Sequence, residues 1–253
     1  MKKKMIPLLL FLPLLFLLAV YGKDSKKEES RVVVIAIDGL RWQEMFEGAR
    51  RDSLMPFLWE MGRKKGCMIG NRNRKSKMEV ANGIWKSYAG YSEMLCGVTD
   101  DEHIFDNRKQ YNPNRSVLEL AEACSEYKDR VNAVASWDVV PYILNYRRSE
   151  LPVDFRSSHR VSKQVRNDSV TLNRALKTLK EKHPKLLFVE FCETDYYGHH
   201  GKWQEYLNAA HKNDQFIRQL WEYCQQDPFY KGNTTFLITC DHGRGESLGV
   251  HAN

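Results

Sequence analysis

The sequence has no Cys-x-x-Cys pair, and its six cysteines (Cys67, Cys96, Cys124, Cys192, Cys224, Cys240) are spread thinly over 253 residues. That spacing excludes a compact cysteine framework, while scattered disulfides and buried free thiols both stay open, with Cys192 and Cys240 at neighbouring-looking strand ends. No internal repeat is present, which excludes a repeat array. Aromatic residues are missing where nucleic-acid binding would need them. The stretch from 63 to 77 carries seven basic residues (Arg63, Lys64, Lys65, Arg72, Arg74, Lys75, Lys77) but no Phe, Tyr or Trp to stack a base, so no specific nucleic-acid binding is expected. The stretch is either a solvated loop or an attractor for an anionic substrate.

Charge is absent from Met5 to Tyr21, directly after Lys2-Lys3-Lys4. This is the pattern of a secretory signal at residues 1–22, with Ala19 and Gly22 as small residues near a cleavage point. No cysteine follows closely, so a lipoprotein anchor is not expected. The reading places the protein in the periplasm or secreted, with no membrane span after cleavage; an uncleaved signal anchor is the alternative. Residues 23–30, KDSKKEES, form a polar linker, and 31–253 form one domain. Three lysines of the +7 formal charge lie in the leader, which leaves a mildly basic +4. At 42% apolar and 28% charged residues, the chain is globular in composition.

Against these absences stand three apolar runs that each end in acid. Val32 to Ile37 is followed by Asp38-Gly39; Leu186 to Phe191 by Glu193, Asp195 and His199; Thr235 to Cys240 by Asp241 and His242. Continuous apolar runs suit strands covered on both faces, so each is expected as a buried strand of a parallel sheet. Ligands bind at the carboxyl ends of such strands. Between them the spacing predicts a short helix over 55–61, a helix entered near Ser87 and closed by Gly97, and one capped by Asn114. Further on come a strand over 131–136 and helices over 168–182 and 203–226. Strands alternating with helices give an α/β fold with a mainly parallel central sheet and helices on both faces.

Asp195 and His199, four residues apart, are near enough to share one ion, and Asp38, Asp241 and His242 could hold a second. Mixed carboxylate and imidazole ligation suits zinc, with manganese or iron as alternatives, and is poor for calcium. Two divalent ions and a hydroxyl form a template for displacement at phosphorus, and Ser87 at a helix start is the hydroxyl in reach. Read alone, Ser87 is simply a helix N-cap. His200 could replace His199, but the spacing from Asp195 favours His199. His103, His159, His183 and His211 show no partner pattern.

Asp38-Gly39, Ser87 before a helix, Asp195-x-x-Gly-His199 and Asp241-His242-Gly243 together resemble the alkaline phosphatase superfamily, nearest its nucleotide pyrophosphatase/phosphodiesterase branch, over nearly all of residues 31–253. The resemblance implies an alkaline-phosphatase-like fold with two zinc ions. Asp38, Asp241 and His242 would bind one together with the nucleophile Ser87, and Asp195 and His199 the other. It implies a phosphoryl-serine intermediate, and an asparagine that hydrogen-bonds a phosphoryl oxygen, matched in position by Asn107; as a residue, Asn107 is also a plain turn asparagine. A further downstream histidine would complete the first zinc site, and His251 is the one present. The chain departs from the branch at Ala89-Gly90-Tyr91, where Pro-Asn-His is usual. Ser87 to Tyr91 holds neither Pro nor Arg, which counts against a sulfatase.

The expectation is therefore an exported two-metal hydrolase of phosphate esters, with small diesters or nucleotide pyrophosphates favoured over monoesters. The short tail after Gly243, where such folds carry more strands and helices, suggests C-terminal truncation. The alternative is thus a truncated, inactive relative that binds metal or an anionic partner.

Overall fold

The computed structural model describes residues 30–47, 52–245 and 250–252. The leader expected at 1–22 lies outside the described residues, as does all of the linker but Ser30. No helix among the described residues is long and apolar enough to cross a membrane.

The run Arg31–Ile37 forms β1, which is followed by helices α1 (Trp42–Phe46), α2 (Pro56–Lys64), α3 (Ser87–Cys96) and α4 (Val117–Glu122). The chain then forms β2 (Val131–Ala135), two single helical turns α5 (Val140–Ile143) and α6 (Tyr146–Ser149), and β3 (Val153–Asp154). The second half alternates α7 (Asp168–Lys182), β4 (Leu186–Phe191), α8 (Glu193–His199), α9 (Trp203–Gln226) and β5 (Thr234–Thr239). A two-stranded antiparallel ribbon, β6 (Gly243–Arg244) with β7 (His251–Ala252), follows.

The five strands β3-β2-β4-β1-β5 form one sheet in that order, with every pairing parallel. Because strand side chains alternate faces, each apolar strand feeds two cores. Ala36, Ala133 and Phe188 pack on one face with Tyr88, Leu95, Leu118 and Ile143 from α3, α4 and α5. Ile35, Val134 and Val189 pack on the other with Leu58, Leu179 and Leu220 from α2, α7 and α9. The α/β architecture with helices on both faces is therefore as expected, and the long helices fall at the expected residues. Charge fits the dipole of α7, with Asp168 in its first turn and Lys180 and Lys182 in its last.

Three local expectations are corrected. The cap of α4 is Ser116, whose hydroxyl accepts from Glu119 N at 3.2 Å, rather than Asn114; a serine oxygen sits close enough to reach the third residue on. The run Thr235–Cys240 is not buried throughout. It ends the sheet at β5, with no strand beyond it among the described residues, so Leu237 and Ile238 are exposed. Cys192 and Cys240 follow β4 and β5, which β1 separates, and all six cysteines are free thiols.

Candidate metal centre

The register of the three central strands decides which side chains meet. Ala36 pairs with Thr239 and Ile37 with Phe191, so one step further Asp38 stands level with Cys192, and Asp241 beside it. Gly39, in the left-handed region at φ 61°, turns the chain out of the sheet, and its N–H donates to Asp241 Oδ1 at 3.0 Å. Thr194 Oγ1 donates to Asp38 O at 2.6 Å and ties α8 to the same strand end.

Ser87 is the first residue inside α3, which leaves the cap position to Lys86. Its hydroxyl is therefore not spent on capping. Ser87 Oγ lies 3.1 Å from His242 Nε2 and 3.5 Å from Asp38 Oδ1, in a buried setting. His242 Nδ1 lies 2.8 Å from Gly243 O, an acceptor that fixes the proton on Nδ1 and leaves the Nε2 lone pair facing the cluster. From Nε2 the carboxylates of Asp241, Asp38 and Asp195 are 3.3, 3.5 and 3.7 Å away.

The helix α8 carries Asp195 and His199 on one face, with His199 Nε2 3.3 Å from Asp195 Oδ2. His200 turns away and places Nδ1 2.7 Å from Tyr196 O, so it does not replace His199. The ribbon β6–β7 brings back His251, whose Nε2 is 2.7 Å from His199 Nε2 and 3.7 Å from Asp195 Oδ1. His251 thus joins the Asp195–His199 pair, not the Asp38–Asp241 pair whose set it was expected to complete. Asn107 accepts the Tyr88 N–H at 3.0 Å through Oδ1, which holds it against the first turn of α3 beside Ser87.

Two sets of potential ligand atoms, Asp38–Asp241–His242 and Asp195–His242–His251, each lie within 4.8 Å of one another, as do those of Asp38, Glu190 and Cys192. Electrostatics asks for cations here. Burial, then repulsion from Asp241, pushes Asp38 well above the usual carboxylate range, and burial likewise raises Asp241. Burial raises Glu190 to about 8, while at Asp195 the opposing effects of His251 and Arg244 outweigh burial and hold it at about 2. Asp241 Oδ2 is buried with no hydrogen-bond partner. Arg244 is the buried cation that meets this group, donating to the carboxylate and carbonyl of Asp195 and to Gly39 O. One guanidinium does not balance three carboxylates, so the donor set fits divalent ions.

Sequence reasoning missed several supporting residues. Gly90, which replaces the usual asparagine, packs so closely on the β5 end that a Cβ would meet Asp241 O at 2.2 Å. The adjacent Tyr91 is fully buried, its hydroxyl has no partner among the described residues, and burial keeps it protonated. Gly39 and Gly198 leave the space that Arg244 fills. The run Asp241-His242-Gly243-Arg244 was in view, but nothing in one dimension says that this arginine folds back onto Asp195.

Residues 128–252 match the family model described as the metalloenzyme superfamily. No curated protein matches the chain in sequence. Among solved structures, the C-terminal periplasmic domain of EcEptC from Escherichia coli, in complex with zinc, superposes with a TM-score of 0.59 at 14% identity, over 88% of this chain and 66% of that one. Murine ectonucleotide pyrophosphatase/phosphodiesterase 5, as an inactive form in complex with AMP, gives 0.57 at 17% identity over 86% and 59%. The alkaline phosphatase of the Antarctic bacterium TAB5 gives 0.50 at 12% identity over 87% and 81%. The chain thus spans 66% and 59% of the first two. Residues 128–252 thus match the metalloenzyme superfamily, and the fold of the chain is alkaline-phosphatase-like.

Proposed function

We propose that this protein is an exported two-metal hydrolase that cleaves small phosphodiesters or nucleotide pyrophosphates through a covalent phosphoryl intermediate on Ser87. The observation that carries the reading is the position of Ser87. Its hydroxyl stands at the head of α3, uncommitted to capping and in contact with His242 and Asp38. In this reading Asp38, Asp241 and His242 hold one ion with Ser87, and Asp195, His199 and His251 hold the other. Zinc suits that donor set best, with manganese or iron as alternatives. When bound, the ions lower the pKa of a coordinated hydroxyl and offset charge on the phosphoryl oxygens.

The chain's own groups do the rest. Ser87 Oγ attacks phosphorus, the Oγ–P bond forms, and the bond to the leaving alkoxide or phosphate breaks; water then cleaves the Oγ–P bond. Ser87 is the first residue of α3, so the positive end of that helix dipole lies beside the anionic group. Asn107 Oδ1 is taken by Tyr88 N, which leaves the amide hydrogens to donate to a phosphoryl oxygen. His242 is oriented by its Nδ1 contact to Gly243 O, and Arg244 fixes Asp195. The preference for diesters draws support from the fold shared with a pyrophosphatase/phosphodiesterase solved with AMP. Export rests on the leader at 1–22, ahead of a catalytic domain at 31–253.

The test compares hydrolysis of bis-p-nitrophenyl phosphate, p-nitrophenyl phosphate and p-nitrophenyl sulfate by the zinc-loaded chain, with and without chelator. Chelator-sensitive turnover led by the diester is expected. Equal or faster turnover of the sulfate ends this reading.

A further inference from the structure

At the edge of the sheet, a cavity of about 590 Å³ opens between the first half of β2, β3 and the last half of α7. None of its lining residues belongs to the metal centre. Its volume is in the range of small-molecule sites. Two polar side chains on its wall have no hydrogen-bond partner among the described residues: Asn132, 4% exposed in the otherwise apolar β2, and Thr178, 8% exposed on α7. Asn132 opens onto the cavity from an otherwise apolar strand, so its amide is left for whatever occupies that space to pair. Four cations line the cavity, Arg156, Arg174, Lys177 and Lys182, against two carboxylates, Asp154 and Glu181. Asp154 is held by Arg166 at 2.6 Å and lies 3.8 Å from Arg174, and Glu181 lies 3.9 Å from Lys177, so both carboxylates are engaged and the lining keeps an excess of two cations. The remaining lining is apolar or aromatic, with Leu151, Val153 and Phe155 among it.

We propose that this cavity is a second binding site, separate from the metal centre, for a small organic anion with an apolar body. The body lies on Leu151, Val153 and Phe155. The anionic group meets Arg174 and Lys177, and a polar atom of the ligand pairs with the Asn132 amide. Arginine and lysine on one helical face, three residues apart on α7, converge on the same opening.

The probe is naphthalene-2-sulfonate, an apolar bicycle with a fixed negative charge and no phosphoester bond, titrated calorimetrically into the intact chain. One equivalent is expected to bind. The affinity should fall tenfold or more in the surface double variant Arg174→Ala/Lys177→Ala and stay unchanged in Ser87→Ala. Asn132→Leu, which keeps the number of side-chain heavy atoms but removes the amide, should weaken binding tenfold or more. No binding to the unmodified chain, equal binding by the double variant, or loss of binding in Ser87→Ala would each overturn the proposal. Unchanged binding in Asn132→Leu would do so too.

Discussion

The two polar regions of this domain are opposites. At the carboxyl ends of β1, β4 and β5, acids converge: Asp38, Asp195 and Asp241 are all buried, with Arg244 as the cation set against them. At the edge beside β3, cations outnumber acids around the solitary amide of Asn132. Both lie on the same sheet, and both are unbalanced. An imbalance of buried or half-enclosed charge names the sign of the occupant, because a folded chain tolerates uncompensated charge only where something else neutralises it. The first region asks for metal ions and the second for an anion. The first is also far more tightly constrained, by strand register and by glycines with no room for a Cβ.

The largest effect expected from breaking this contrast is on turnover. Ser87→Ala should lower kcat for bis-p-nitrophenyl phosphate by at least about 10⁴-fold, as removal of a nucleophile does, while the zinc content measured by mass spectrometry stays unchanged. Loss of zinc in that variant would mean that Ser87 serves the metal more than the substrate.

Next comes the acid cluster itself. Asp241→Asn removes the charge of a buried carboxylate whose Oδ2 has no other partner, and should weaken zinc binding by at least about 100-fold in a chelator competition, beyond what a supporting residue costs. Unchanged affinity would remove Asp241 from the ligand set.

A smaller effect sharpens the steric side of the comparison. Gly90→Ala places a Cβ 2.2 Å from Asp241 O, so α3 and the β5 end must part. Thermal unfolding should show a loss of about 1–3 kcal/mol, typical of an overpacked site, together with weaker zinc binding. A matched substitution at Gly66, where the nearest heavy atom would lie 3.7 Å from the Cβ, should leave zinc binding alone.

The smallest effect concerns pH. Glu190 has its folded pKa raised by burial to about 8 from 4.5, so the folded state favours its protonated form. That contribution to stability is complete below about pH 4.5 and is lost as pH rises towards 8. In chelator-treated protein, Glu190→Gln should therefore flatten the fall in Tm across this window. The amide can still accept from Ser136 N and Trp137 N, which Glu190 Oε2 does at 2.7 and 2.9 Å. A fall as steep as in the unaltered chain would place the titration elsewhere.

What the sequence by itself determined was local. The apolar runs set β1, β4 and β5, the helical spacing set α7 and α9, and each strand end announced its acid, because periodicity and strand termini are written in consecutive residues. The i, i+4 relation of Asp195 and His199 was legible for the same reason. Only the tertiary structure decided that β5 ends the described sheet, that His242 faces Asp38, Asp195 and Asp241 at once, and that His251 sides with His199. It alone placed Arg244 on Asp195, pressed Gly90 against Asp241 and left Asn132 facing a cavity. These are matters of register between strands far apart in the chain, and of how charge and volume sum across them, and no window of neighbouring residues contains that sum.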